Sequence, residues 1–279
     1  MTLLLSEQLA YTTVRIKTKL RNGGDGFGTG FFFQFCYDGT RYIPCIVTNK
    51  HVLDDALEAQ IQFSLKDANG DRALKSLHVV RISEPSRARL DHPDPEVDLT
   101  VIPFGELLLK IQADGVDPFF RAFGVSDIPS DADMRELGAI EPIVMVGYPI
   151  GLWDHVNNQP ITRRGVTATH PNNEFQGRAE FVIDCACWPG SSGSPVVLYN
   201  EAIVQKRDGS MQMTGPQFKF LGVLYAGPQY TAEGEIIVSS IPTSAVPMAS
   251  TKVMINLGYV IKAARLREIE VILKSRVSI

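Results

Sequence analysis

Short apolar segments, separated by turn residues, recur along the chain in two groups. Aromatic and β-branched residues are typical of strands, and several short strands without intervening helices favour antiparallel β-architecture. The sequence therefore predicts an all-β protein of two six-stranded antiparallel β-barrels, completed by C-terminal helices. The first group occupies residues 10–20, 28–35, 42–48, 61–65, 77–82 and 99–104, and the second residues 137–151, 164–169, 179–184, 194–199, 218–225 and 234–241.

The spacing of these segments predicts four regions. Residues 1–110 form the first barrel and residues 137–242 the second. Residues 111–136 join them as a linker, because glycine, proline, serine and aspartate are frequent there and the apolar periodicity is lost. Residues 243–279 form a helical tail.

Two helices are predicted within this tail. Thr243 or Ser244 can cap a helix that runs to about residue 257 and ends at Gly258. The spacing of a second apolar set at three to four residues predicts a further helix that packs against the second barrel. That set is Tyr259, Ala263, Leu266, Ile269 and Leu273.

Charge and composition exclude several classes of protein. A net charge of −4 gives no electrostatic reason to expect a nucleic acid or an anionic membrane as partner. No apolar run approaches the roughly 20 residues of a membrane-spanning helix, and the first residues lack the basic segment of a secretion signal. The four cysteines have neither zinc-ligand spacing nor the density of a disulfide scaffold. We therefore expect a cytoplasmic protein with reduced thiols and no bound metal.

The most chemically suggestive stretch is Gly-Ser-Ser-Gly-Ser-Pro at positions 190–195, between two apolar segments. It presents Ser192 on a tight turn. A serine hydroxyl is a poor nucleophile until a base accepts its proton, and the resulting oxyanion needs donors already aimed at it. Because such turns are also common without any catalytic role, the interpretation depends on partners elsewhere in the chain.

The order of residues along the chain limits which partners are available. All five histidines precede Ser192, whereas α/β-hydrolases require the histidine after the nucleophile. A subtilisin-like order could use Asp25, but the chain lacks the strand–helix alternation of that fold. His51 lies at the end of one predicted strand and Asp98 directly before another. The remaining order is His51, Asp98, Ser192.

Five short motifs occur in the order found in trypsin-like serine peptidases. The chain resembles this family, particularly bacterial HtrA/Deg-type protease domains, over about residues 28–257. The motifs are Gly-Thr-Gly-Phe at 28–31, Val-Thr-Asn-Lys-His-Val at 47–52, Asp-Leu-Thr-Val at 98–101, Gly-Tyr-Pro-Ile-Gly-Leu at 147–152, and the serine turn at 190–195.

The resemblance implies a role for each matching residue. His51 would be the general base, Asp98 would orient it, and Ser192 would attack the scissile carbonyl. The backbone N–H groups of Gly190 and Ser192 would form the oxyanion hole. Protein or peptide substrates follow from this, and the chemistry requires no cofactor or metal.

The serine turn departs from the family pattern at two positions. Ser194 replaces the usual second glycine, which requires an extended backbone there and adds a second hydroxyl. Ser191 replaces the acidic residue that pairs with a new N-terminus in secreted enzymes. We therefore expect no activation by N-terminal cleavage, and expect control by loop ordering or by an activating protein partner. A PDZ domain, usual in HtrA-type proteins, is not expected.

Substrate preference is predicted from the position six residues before the nucleophile. Trypsin-like enzymes that cleave after arginine or lysine resemble this chain there but have aspartate where it has Ala186. With Cys187, Tyr225, Ala226 and Gly227 as further walls, the resemblance predicts a small or medium apolar P1 residue.

Two alternative functions stay open: a catalytically silent trypsin-like binding module, and a serine esterase that uses the same three residues.

Overall fold

The first group of segments forms one large, mainly antiparallel sheet. The computed structural model describes residues 3–200, 203–205, 211–213, 217–235 and 248–276. The sheet has nine strands: β1 (Thr13–Leu20), β2 (Asp25–Phe35), β3 (Ile43–Thr48), β4 (Ala56–Lys66), β5 (Arg72–Ser83), β6 (Leu90–Asp91), β7 (Thr100–Pro103), β8 (Pro118–Phe119) and β9 (Phe123–Gly124). Its main order is β5-β4-β1-β2-β3-β7-β6, with β8 paired to β4 and β9 paired in parallel to β2.

Most of the second group closes into a barrel. Its strands are β10 (Pro142–Gly147), β11 (Ile161–Thr167), β12 (Glu180–Asp184), β13 (Pro195–Asn200), β14 (Ile203–Gln205), β15 (Met211–Met213), β16 (Gln217–Ala226), β17 (Gln229–Glu235), β18 (Met248–Met254) and β19 (Leu257–Lys262). Six of these ten strands close the barrel, in the order β10-β11-β12-β19-β16-β13. The other four form two separate two-stranded sheets, β14 with β15 and β17 with β18. The prediction of an all-β protein with a six-stranded second barrel is confirmed, but the sixth strand is β19 and not the predicted segment 234–241, whose described residues 234 and 235 belong to β17.

Short helices connect and cover the strands. They are α1 (Leu5–Leu9), α2 (Lys50–Leu53), α3 (Gly105–Ala113), α4 (Asp131–Glu136) and α5 (Leu266–Arg276). Helix α3 directly follows β7 and leads into the predicted linker. The predicted linker is more ordered than its composition suggests, because it supplies β8, β9 and α4, and Asp133 of α4 forms an ion pair with Lys219.

The prediction of a helix ending at residue 257 is wrong. Residues 248–254 form β18, which pairs along its whole length with β17, and β19 contains Tyr259, which was predicted to be helical. Residues 243–247, including the predicted caps, lie outside the described residues. Pairing with β17 satisfies the backbone of β18, and pairing with both β12 and β16 satisfies that of β19, so strand pairing outweighs the local helix signals in both segments. The final helix is present as α5, with Leu266, Ile269 and Leu273 buried.

An apolar core joins the large sheet, the barrel and α5. The ring of Phe220 from β16 lies 5.3 Å from that of Phe31 on β2 and 5.0 Å from that of Phe123 on β9. All three side chains are buried, and the buried face of α5 belongs to the same cluster. This core fixes how β2 and β3 meet the barrel, which positions the candidate site.

The described residues contain no helix long and apolar enough to cross a membrane. Over the same residues, no cluster of three histidine, cysteine or acidic side chains could hold a metal ion. All four cysteines are free and buried.

Truncating Phe220 should destabilise the whole protein. Phe220→Ala leaves a cavity where three aromatic rings meet, so we expect a loss of about 3–5 kcal/mol in the free energy of unfolding. Leu109→Ala, at an exposed position of α3, should cost less than about 0.5 kcal/mol. Urea unfolding of the two variants measures both values, and similar losses would contradict the proposed core.

Candidate active site

His51 follows the end of β3. Asn49 has an extended backbone and precedes the single turn of α2, which contains His51. The Asn49 amide donates to the backbone oxygen of Asp98 at 2.6 Å, so it ties the start of this helix to the segment before β7. The His51 ring is about half exposed and faces solvent on one side.

Asp98 binds His51 with both carboxylate oxygens. Its Oδ2 lies 2.5 Å from His51 Nδ1, and its Oδ1 accepts the His51 backbone N–H at 3.2 Å. Burial alone would raise the pKa of Asp98, but the hydrogen bonds and charge interaction from His51 hold that pKa below its ordinary value. The two residues therefore form a hydrogen-bonded pair in which Asp98 fixes the orientation of the His51 ring.

The serine turn depends on two glycines with left-handed backbone. Gly190 and Gly193 both have φ of +86°. A Cβ on Gly193 would overlap the backbone oxygen of Thr29. Only glycine combines this φ with so close an approach, so the turn that carries Ser192 packs directly against β2.

Thr29 fastens this turn to the sheet. Its N–H donates to Ser192 O at 2.9 Å, and its hydroxyl donates to Gly190 O at 3.0 Å. Its own carbonyl accepts the hydroxyl of Thr48, the last residue of β3, at 2.8 Å. The turn is thus bound to the strand that leads to His51.

Ser194 fits at the position where glycine is usual. Its backbone avoids positive φ, and its side chain is fully buried. A Cβ on Gly147 would overlap the Ser194 hydroxyl, so the absence of a side chain on Gly147 makes the room. The second hydroxyl of the turn is therefore inaccessible to a substrate.

The two backbone donors predicted for an oxyanion hole have no acceptor in the described part of the chain. Ile150 N donates to Pro189 O at 2.5 Å. Because C=O and N–H point in opposite directions across a trans peptide, the Gly190 N–H points away from Ile150. Ile150 has a φ of +47°, which is unusual for a β-branched residue. The sequence did not predict that Ile150 orients the peptide between Pro189 and Gly190.

Ser192 does not hydrogen-bond to His51. Its hydroxyl donates instead to Tyr225 O at 3.4 Å, a long and weak contact. The structure therefore brings His51 and Asp98 into contact and places Ser192 beside a pocket. No hydrogen bond joins Ser192 to His51 or Asp98.

That pocket is a cavity of about 270 Å³ beside Ser192. Four of the five predicted walls, Cys187, Tyr225, Ala226 and Gly227, line it together with Trp188, Pro189, Ser192 and Leu224. Ala186 does not line it, and the Ala186 carbonyl instead accepts a hydrogen bond from Arg163. Burial raises the pKa of Cys187 to about 12, so this wall is a neutral thiol.

The sequence matches a family model described as the trypsin-like peptidase domain over residues 28–204, more than half of the chain. The chain belongs to the trypsin-like peptidase family. No curated protein matches it significantly.

Several solved structures resemble this trypsin-like peptidase. The HtrA-type protease AlgW with a tripeptide is 15% identical, with a TM-score of 0.46 over 96% of this chain and 60% of that one. The thermostable serine protease AL20 from an extremophilic microorganism is 11% identical, with a TM-score of 0.45 over 94% and 97%. A catalytically inactive tobacco etch virus protease complexed with substrate is 14% identical, with a TM-score of 0.43 over 78% and 73%. The chain thus spans under two thirds of the AlgW chain's length.

Adding a methyl group at Gly193 should disrupt the turn. Gly177→Ala places alanine at a φ of +75° in open space, where backbone strain alone costs about 1–2 kcal/mol. In Gly193→Ala the overlap with the Thr29 carbonyl adds to a similar backbone strain. We therefore expect Gly193→Ala to lose at least twice as much unfolding free energy as Gly177→Ala. Chemical denaturation compares the two variants, and equal losses would show that the contact with Thr29 is unimportant.

Proposed function

We propose that this trypsin-like peptidase is a serine endopeptidase that works through Ser192, His51 and Asp98. The observation that carries the proposal is the double hydrogen bond of Asp98 to His51. It fixes the ring with Nδ1 bound to the carboxylate, which leaves Nε2 to accept the proton of the nucleophile. Asp98 then stabilises the imidazolium that forms.

The reaction requires the Ser192 hydroxyl to turn from Tyr225 O towards His51. The bond it gives up is long, and hydrogen bonds between catalytic groups are often loose before substrate binds. Oxygen attack on the scissile carbonyl forms the Ser192 acyl-enzyme, and His51 passes the proton to the departing amine. Water then attacks the acyl group while His51 accepts a proton from it; the bond to Ser192 breaks, His51 returns the proton to the serine oxygen, and the carboxylic acid product leaves.

Gly190 and Ser192 N–H would stabilise the negative charge that develops on the carbonyl oxygen. Both groups are without acceptors within the described residues, and the orientation of the Pro189–Gly190 peptide is held by Ile150. Such donors act mainly in the transition state, where losing one typically lowers kcat by about 10²–10³-fold.

The pocket beside Ser192 would receive the P1 side chain of a protein or peptide substrate. Its lining contains no charged residue, and about 270 Å³ suits a small or medium apolar group. A basic P1 side chain would find no counter-charge there.

The proposal also includes an activating protein partner and a cytoplasmic location in which the thiols stay reduced.

A catalytically silent binding module is the second candidate. The hydrogen bond from Ser192 to Tyr225 O favours it, since a hydroxyl held there permanently would never be activated. The same pocket would then bind a peptide side chain without cleavage.

Labelling with a fluorophosphonate probe separates these candidates. We expect the native protein to be labelled at Ser192, and Ser192→Ala or His51→Ala to lower the labelling rate at least about 10³-fold. Ser194→Ala is the matched control, because its buried hydroxyl should contribute nothing. Absence of labelling in folded native protein would contradict the peptidase and favour the binding module.

A peptide panel tests the pocket. Peptides that differ only at P1 should give kcat/KM at least about 10-fold higher for alanine, valine or leucine than for arginine, lysine or glutamate, because burying an unpaired charge is costly. Efficient cleavage only after charged residues would overturn the predicted apolar preference. Intact-mass analysis of the products locates the cleaved bond.

A further inference from the structure

An arginine of the barrel lies directly under the serine turn. Arg163 of β11 donates from Nη1 to the hydroxyl of Ser191 at 3.0 Å and to the carbonyl of Ala186 at 2.5 Å. Ser191 is fully buried. Arg163 belongs to none of the five motifs that carry the family resemblance.

The two acceptors lie at the two ends of one loop. Residues 186–191 carry three pocket walls, Cys187, Trp188 and Pro189, and the predicted oxyanion donor Gly190. Within the loop, Ser191 N donates to Trp188 O at 3.0 Å, and Trp188 N lies 3.4 Å from the Ser191 hydroxyl. One nitrogen of Arg163 therefore braces both ends of the loop at once.

This arrangement is costly for stability. The Nε and Nη2 atoms of Arg163 are inaccessible to solvent and have no hydrogen-bond partner among the described residues. No carboxylate forms an ion pair with Arg163 in that part of the chain, and its polar neighbours include the raised-pKa thiols of Cys185 and Cys187. A buried charge without a counter-charge destabilises a fold, and an apolar residue of similar size is often the more stable choice.

We propose that Arg163 is the positioning residue of the oxyanion turn, holding Gly190 and Ser192 through its hydrogen bonds to Ser191 and Ala186. This inference rests on the proposed function. An internal side chain thus provides the support that an ion pair with a new N-terminus gives in secreted enzymes. Arg163 does not touch the substrate, and its contribution is made through the geometry of the loop.

The expected signature separates positioning from general stability. Oxyanion donors act chiefly in the transition state, so Arg163→Met should lower kcat about 10–100-fold and change KM less than about 3-fold. The same variant should unfold at an equal or higher Tm, because a buried unpaired charge is removed. A residue with only a structural role would show the opposite, a lower Tm with kcat largely preserved.

Four further variants sharpen the test. Arg164→Met, at the adjacent exposed position of β11, is the matched control and should leave kcat unchanged. Arg163→Lys should recover part of the lost activity. Ser191→Ala removes one acceptor without changing charge, and the double variant with Arg163→Met should be no slower than Arg163→Met alone, because both act through one contact. Additive losses, or an Arg163→Met variant that matches Arg164→Met, would overturn the inference.

Hydrogen exchange gives a measurement that is independent of catalysis. The amides of Ser191 and Ser194 are hydrogen-bonded within the turn, to Trp188 O and Ser191 O. In Arg163→Met they should exchange at least about 10-fold faster than in native protein or Arg164→Met, since local opening becomes easier. Unchanged exchange would overturn the inference. If the native protein is not labelled by the fluorophosphonate, the peptidase proposal fails while this comparison still decides whether Arg163 holds the loop.

Discussion

The candidate site depends on the contact between the serine turn and Thr29. That residue donates its N–H and its hydroxyl to the turn, and accepts the Thr48 hydroxyl on its carbonyl. It also accepts the Tyr148 N–H on its own hydroxyl at 3.1 Å, which adds the segment beside Ile150. Each buried polar group of Thr29 therefore has a hydrogen-bond partner in the serine turn, in Thr48 or in Tyr148. Because unsatisfied buried groups are expensive, these segments cannot drift apart independently.

Close approach of backbones makes this contact possible, and it explains why the substitution of serine at position 194 is tolerated. Gly193 lets the turn meet Thr29, and Gly147 leaves room for the Ser194 hydroxyl. The departure from the family pattern in the turn before β13 is thus accommodated by the glycine that ends β10. Changes at Gly147 and Ser194 should be considered together, because their side chains compete for the same space.

The sequence predicts those features that depend on local pattern or on order along the chain. Alternating apolar residues located most strands, the spacing of Leu266, Ile269 and Leu273 located α5, and chain order selected His51 and Asp98. The helix expected near residues 243–257 was wrong because residues 248–254 pair with β17, a partner distant in sequence that local helix signals do not reveal. Arg163 and Ile150 were missed for a different reason. They act on the turn from distant segments, and a single sequence carries no sign of which residues meet there.

A neutral serine at position 191 changes how the turn responds to pH. An ion pair with an N-terminal amine weakens as that amine loses its proton, near its ordinary pKa of about 8. Arg163 and Ser191 contain no group that titrates in that range, since an arginine stays charged and a serine hydroxyl stays neutral. The neighbouring thiols also stay protonated, because burial raises the pKa of Cys185 and takes that of Cys187 to about 12. The serine turn of this peptidase should therefore keep its geometry at alkaline pH, at the cost of a largely buried charge.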